Sequence, residues 1–345
     1  MSQATPHSAP HSTPLWAKEK EGRTFTRIPV TQTLFNENLT LPLHVLTGKK
    51  EGPTVGILTL VHGDEFLTAV AVRDLLNKID TSELAGRICA IPVANTFAMA
   101  DFNRQTPEMH GKTDLHEVSP GNPKGNITQM IAAKVRENLL DHVDLYIDFH
   151  TGGQGGRLQS RIDYDNEGPQ ELQDQCFKLS RSFSSQFVHH NNLLGTASRY
   201  LHTRNIPGIN PEVGGVYLGP DATDAYLKEM TDGLVNILAT FGMLTNIKPK
   251  KPPKQLHFGV KSRFEINPSK GGYLNSHYEH KEDLGKLLKK GTVLGEIIDL
   301  HTFDVIEELK APVDGYLFCG RYSGVLEAGT KAFFIAEEST SEWLD

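Results

Sequence analysis

The stretch Val55-Gly56-Ile57-Leu58-Thr59-Leu60-Val61, followed at once by His62-Gly63-Asp64-Glu65, decides how this chain is read. Its first part is rich in branched apolar residues and opens after Gly52-Pro53 with no polar alternation, the pattern of a strand buried on both faces of a parallel sheet. His62 and Glu65 fall just past its carboxyl end. Leu67, Val70, Ala71, Leu75 and Leu76 then recur near helical spacing, so Glu65 opens a helix and His62 stands on the turn before it. Three residues apart, both can reach one ion. A second run, Val143 to Phe149, repeats the design and delivers Asp148-Phe149-His150 just before Thr151-Gly152-Gly153. Ligand sites in open α/β sheets gather outside the carboxyl ends of strands.

Two histidines, one carboxylate and an open position for water form the arrangement of hydrolytic zinc enzymes, because the ion lowers the pKa of bound water to roughly 7. The reading therefore takes His62, Glu65 and His150 as metal ligands, with one Zn2+ per chain as cofactor. A general base is still needed. Glu212, in Ile209-Asn210-Pro211-Glu212-Val213-Gly214-Gly215, is an acidic residue in an otherwise apolar segment and is hard to explain as core.

With these residues in place the chain resembles the succinylglutamate desuccinylase/aspartoacylase family, relatives of zinc carboxypeptidases, from about Leu43 to Glu338. The family pattern is HGxE, an Asn followed nine residues later by an Arg, a DLNR-FPG-like segment, D-x-H, and E-x-G-G. Here these fall on His62 and Glu65, Asn95 and Arg104, Asp114 to Gly121, Asp148 and His150, and Glu212 to Gly215. Five elements in order are specific where a lone HxxE is weak. The resemblance implies that Glu212 activates water and passes its proton to the leaving amine. It implies that Arg104 polarises the scissile carbonyl and stabilises the oxyanion, and that Asp148 orients a ligand from behind.

One departure matters. Where the family carries Asn-Arg to grip a substrate carboxylate, this chain reads Asp114-Leu115-His116-Glu117, so the bidentate Arg fork is gone. Assigning the Asn-Arg element instead to Asn103-Arg104 breaks the spacing from Asn95 and to the Pro-Gly, and the first alignment is preferred. Glu117 then puts negative charge where the family puts positive charge, which points to a substrate with a free amine or without the usual carboxylate contact. His116, Glu117, Asn103 and Arg161 are the candidate substrate contacts, Arg161 being read as part of the glycine-rich loop after His150. His189 and His190 read as surface residues or as residues behind the pocket.

At 345 residues with 38% hydrophobic content, the chain has length for two domains. A net charge of -7 and a pI near 6.1 argue against nucleic-acid and anionic-membrane partners. Cys89, Cys176 and Cys319 are far apart and odd in number; Cys89 and Cys319 lie in apolar runs, which suits core thiols and a reducing cytoplasm. No apolar stretch reaches membrane-spanning length and Met1 to Pro14 lack a signal-peptide core, so the expected location is cytoplasmic.

Strands are expected near Leu43 to Leu46, Val55 to Val61, Arg87 to Val93, Asp144 to Phe149 and Gln186 to His189. Helices are expected near Glu65 to Asn77, Ile127 to Asp141, Pro169 to Phe183, Thr196 to Asn205 and Thr223 to Phe241. That alternation predicts an α/β fold, a mixed sheet covered by helices on both faces, and the resemblance implies that it is zinc-exopeptidase-like. The organisation expected is a disordered segment over 1–24 with His7 and His11, a catalytic α/β domain over 25–246, a Lys/Pro linker over 247–256 and a β domain over 257–340. The last, with short apolar runs around Ala311-Pro312-Val313-Asp314-Gly315, looks like a barrel-sandwich similar to lipoyl carriers without the modifiable lysine. In the resembled family it packs beside the active site and narrows access, with Tyr273 or Tyr278 as residues that could reach it.

The function expected is zinc-dependent removal of an acyl group from a small N-acylated amino acid or amine. The alternatives are a metallocarboxypeptidase on short peptides and a catalytically silent metal-containing binding protein. A homo-oligomer is compatible with the sequence, which names neither the acyl group nor the amine.

Overall fold

In the computed structural model, which describes residues 13–18, 20–153 and 156–345, one sheet runs through the protein and forks. Its strands are β1 (Gly22–Gln32), β2 (Asn38–Thr47), β3 (Lys50–Leu58), β4 (Ala85–Ile91), β5 (Leu145–Asp148), β6 (His150–Gly152), β7 (Arg157–Tyr164), β8 (Phe187–His190) and β9 (Gly208–Gly215). The order is β1-β2-β4-β3-β5-β9-β7, with β3 parallel to β4 and β5, β5 parallel to β9, and β7 antiparallel to β9.

The apolar runs are continuous because both faces are covered. In β3, Val55 and Ile57 join one core cluster and Leu58 the other; in β5, Leu145 and Ile147 face one way and Tyr146 the other. The helices are α1 (Leu67–Lys78), α2 (Thr96–Ala100), α3 (Ile127–Asn138), α4 (Gln170–Ser182), α5 (Ala197–His202) and α6 (Pro220–Thr240). One face of the sheet is covered by α1, α4 and α6, through Leu75, Leu179 and Ile237, and the other by α3 and α5, through Ile131, Val135 and Leu201. Cys89, Cys176 and Cys319 are all buried free thiols.

At β7 the sheet divides. Arg161 to Tyr164 pair in parallel with β8, which continues to β10 (Gln255–Gly259) and β19 (Glu342–Leu344). Arg157 to Gln159 pair instead with β16 (Gly315–Arg321), which leads to β18 (Phe333–Glu337) and β11 (Arg263–Ile266), with β13 (Leu287–Leu288) also pairing with β16. A separate antiparallel sheet of β12 (Gly272–Ser276), β14 (Val293–Ile298), β15 (Val305–Lys310) and β17 (Gly324–Leu326) covers that branch over Leu274, Leu294, Leu309, Leu317 and Phe333. Tyr278 packs against this C-terminal cluster.

Of the N-terminal stretch expected to lack fixed structure, residues 1–12, with His7 and His11, lie outside the described residues. Trp16, by contrast, is buried and donates to the Asn138 carbonyl at 2.8 Å, and β1 begins at Gly22. The strands expected from sequence do not include β1, β6, β7 and β9, and Arg161 lies in β7 rather than in a loop. No helix among the described residues is long and apolar enough to cross a membrane.

Phe183, at the end of α4, meets Phe149 edge to face at 5.6 Å and is fully buried. Phe183→Ala should lower the unfolding free energy by about 3–5 kcal/mol. Urea unfolding of the two proteins checks it, and an unchanged midpoint would refute it.

Candidate metal centre and its flanking residues

The chain leaves β3 through Leu60, a buried non-glycine residue at φ 50, a conformation that costs about 1–3 kcal/mol and concentrates at functional sites. Thr59 N–H donates to the Ile91 carbonyl and Asn95 N–H to that of Leu60, which holds this turn against the end of β4. Gly63 follows because nothing larger fits: a Cβ there would lie 1.9 Å from the Ala98 carbonyl carbon. Glu65 precedes α1, whose first helical residue is Leu67, so the helix starts later than its spacing predicts.

Three segments converge on the Glu65 carboxylate. His62 Nδ1 pairs with Oε1 at 2.8 Å, His150 Nδ1 pairs with Oε2 at 3.0 Å, and Thr151 N–H donates to Oε2 at 3.2 Å. The opposite ring nitrogens face carboxylates: His62 Nε2 lies 3.3 Å from Asp114 Oδ1, and His150 Nε2 lies 3.2 Å from Asp148 Oδ1. All five side chains are buried. Burial opposes a charged imidazole at His62, yet Glu65 and Asp114 outweigh it and its pKa is raised. His150 is raised in the same way against burial, by Asp148 and Glu65. Burial also opposes an ionised Glu65, but the two histidines hold its carboxyl well below the usual range.

This donor set fits a divalent metal ion. Two imidazole nitrogens and a carboxylate point at one another in a buried place, and each imidazole has a carboxylate behind it, the usual support of a ligating histidine. His116 joins them: one donor atom from each of His62, His116 and His150 lies within 4.8 Å of the others.

Glu212 is placed by strand register. It pairs with His150 across β6 and β9 and with Arg161 across β9 and β7, so the three form a row across the sheet. Gln159 Nε2 donates to Glu212 Oε2 at 2.6 Å, and Arg161 Nη2 lies 3.6 Å from Oε1. Arg161 is itself buried and held: its Nε donates to Asp163 at 2.9 Å, its Nη1 donates to Gln159 Oε1 at 2.8 Å, and it lies over the Phe318 ring of β16. His189, fully buried rather than on the surface, bonds Asp163 from behind at 3.0 Å.

Arg104 donates through Nε to Asp114 Oδ2 at 3.0 Å, and its Nη1 approaches His62 Nδ1 at 3.4 Å, with the side chain about half exposed. Asp114 therefore serves His62 and Arg104 together, and its Oδ1 also accepts from the His116 backbone N–H at 2.9 Å. Glu117 and Asn103 are exposed, and the Asn103 side chain bonds Asp101. The sequence reading did not single out Gln159 or Asp163, since neither residue type carries a metal or nucleophile signal by itself.

A helix-covered mixed sheet with a candidate metal centre past the ends of two parallel strands defines an α/β protein whose site lies outside the carboxyl ends of its strands. The succinylglutamate desuccinylase/aspartoacylase catalytic-domain model matches residues 51–240, and the chain belongs to that family. It is 23% identical over 295 residues, 83% of each chain, to N-alpha-acetyl-L-2,4-diaminobutyric acid deacetylase of Halomonas elongata. Solved structures with the same fold include a succinylglutamate desuccinylase from Silicibacter sp. TM1040, at TM-score 0.81 and 22% identity, covering 92% of this chain and 96% of that one. The product-bound ectoine utilization protein EutE (DoeB) from Ruegeria pomeroyi gives TM-score 0.80 and 21% identity over the same shares.

An ion binds neutral imidazoles, and the raised pKa values of His62 and His150 keep them protonated to higher pH than the ordinary 6.5. Metal affinity should therefore fall as pH drops through the neutral range, with protons released on binding. Titration calorimetry in buffers of different ionisation enthalpy reads this, and zero proton release at pH 7 would contradict it.

Proposed function

We propose that this protein is a zinc-dependent hydrolase that removes an acyl group from a small N-acylated amino acid or amine. The observation that carries the reading is the buried His62, Glu65 and His150 cluster with Glu212 in the same sheet row as His150 and Arg104 beside His62. His62, Glu65 and His150 would hold the ion, which when bound supplies Lewis-acid polarisation of water and carbonyl. Glu212 takes the proton of the water that adds to the amide carbon and returns it to the nitrogen as the C–N bond breaks, leaving an acid and an amine. Gln159 and Arg161 keep its carboxylate aimed. The Arg104 guanidinium offsets the charge that grows on the carbonyl oxygen, and Asp114 fixes its orientation.

Within this class we favour a diamino compound. Glu117 presents an exposed carboxylate one residue from His116, where the family pattern carries an Arg, and the Halomonas relative is named for an N-acetylated diamino acid.

The purified zinc-loaded protein, tested on N-acetylated neutral, acidic and diamino acids, should release acetate fastest from the diamino members. Glu212→Gln should lower kcat by about 10²–10⁴-fold with metal still bound. No acetate from any substrate would sink the deacylase reading, and a preference for an acidic substrate would sink the diamino one. Arg161→Met should lower kcat by at least about tenfold while KM and metal content hold, since it removes aim from the base; an unchanged kcat would show that Glu212 needs no such support.

A further inference from the structure

The three histidines that approach one another do not match the three-donor set of the family pattern, because His116 stands where that pattern has an Asn. Its ring centroid lies 4.7 Å from that of His150 and 5.5 Å from that of His62, and the three residues offer donor atoms within 4.8 Å of one another. The backbone of this turn is fixed independently of any ion, since Asp114 Oδ1 accepts from the His116 N–H at 2.9 Å while also facing His62 Nε2. Asp148 divides its carboxylate: Oδ1 lies 3.2 Å from His150 Nε2 and Oδ2 lies 3.6 Å from His116 Nδ1. His116 thus has the same kind of carboxylate neighbour as His62 and His150.

We propose that His116 joins His62 and His150 as a protein ligand, so that three imidazoles hold the ion of this chain. The proposal rests on the metal-site reading above but not on the substrate. A site with three protein ligands keeps a position open for water, whereas four ligands close a tetrahedral ion. If Glu65 also held the ion, water and substrate would need His116 to give way. His116 is suited to that exchange: its side chain is 19% exposed, against 3% for His62 and 1% for His150.

The test uses the full chain, stripped of metal and reloaded with Zn2+ or Co2+. X-ray absorption at the zinc edge should count three imidazoles in the wild type and two in His116→Asn, with the Co2+ visible band shifting between them. Competition against a chromophoric chelator should show the variant binding Zn2+ at least about 100-fold more weakly, beyond the 10–100-fold typical of losing a group behind the ligands. Two imidazoles in the wild type would overturn the proposal, as would a Co2+ band identical in both proteins even if affinity drops. The wild-type count needs no variant to fold. Neither reading involves turnover, so a protein inert to every acyl amide would defeat the deacylase and leave this result standing.

Discussion

Glu65 is the group on which the site depends. A carboxylate removed from water is costly unless its charge is answered at close range, and here two imidazoles and a backbone N–H answer it. Each of those imidazoles is buried too and in turn needs Asp114 or Asp148. The result is an alternating shell of acids and bases: Glu65, Asp114 and Asp148 surround His62 and His150, with Arg104 against Asp114 and His116 beside Asp148. A divalent cation at Glu65 would compete with protons on the two imidazoles, whose pKa values the surrounding carboxylates raise.

Asp114 and Asp148 extend this order outward. Asp114 ties Arg104, His62 and the turn bearing His116 together, so one carboxylate anchors three segments of the site. Around Glu212 the logic differs. Gln159, Arg161, Asp163 and His189 form a chain of polar contacts inside the sheet that ends on aromatic rings of the C-terminal branch.

The parts legible in the sequence are those whose signal is local. Val55 to Val61 and Leu145 to Phe149 have no polar residue facing a solvated side, so period and length reveal buried strands, and His62, Glu65 and His150 follow at fixed offsets. Helices α1, α3, α4 and α6 were legible from spacing of the same local kind. β7 was not. Arg157-Leu158-Gln159-Ser160-Arg161-Ile162-Asp163-Tyr164 reads as polar and solvated, yet nearly all of it is buried, because Arg161, Gln159 and Asp163 satisfy one another and Glu212 reaches in from a distant strand. No local pattern announces a partner so far along the chain. His116 was found only through family resemblance, and its nearness to His62 and His150 depends on the turn that Asp114 closes.

The fork at β7 has a consequence for the solution behaviour of any shortened chain. One strand satisfies two branches of the sheet with successive halves of its backbone, and its partner β16 and the β10 strand beside β8 both come from the C-terminal part of the chain. Removing that region would strip hydrogen-bond partners from β8 and from the first half of β7, baring backbone edges flanked by Phe187 and Val188. Unprotected edges of that kind recruit other chains, so a severed α/β portion should self-associate rather than persist as a small independent enzyme.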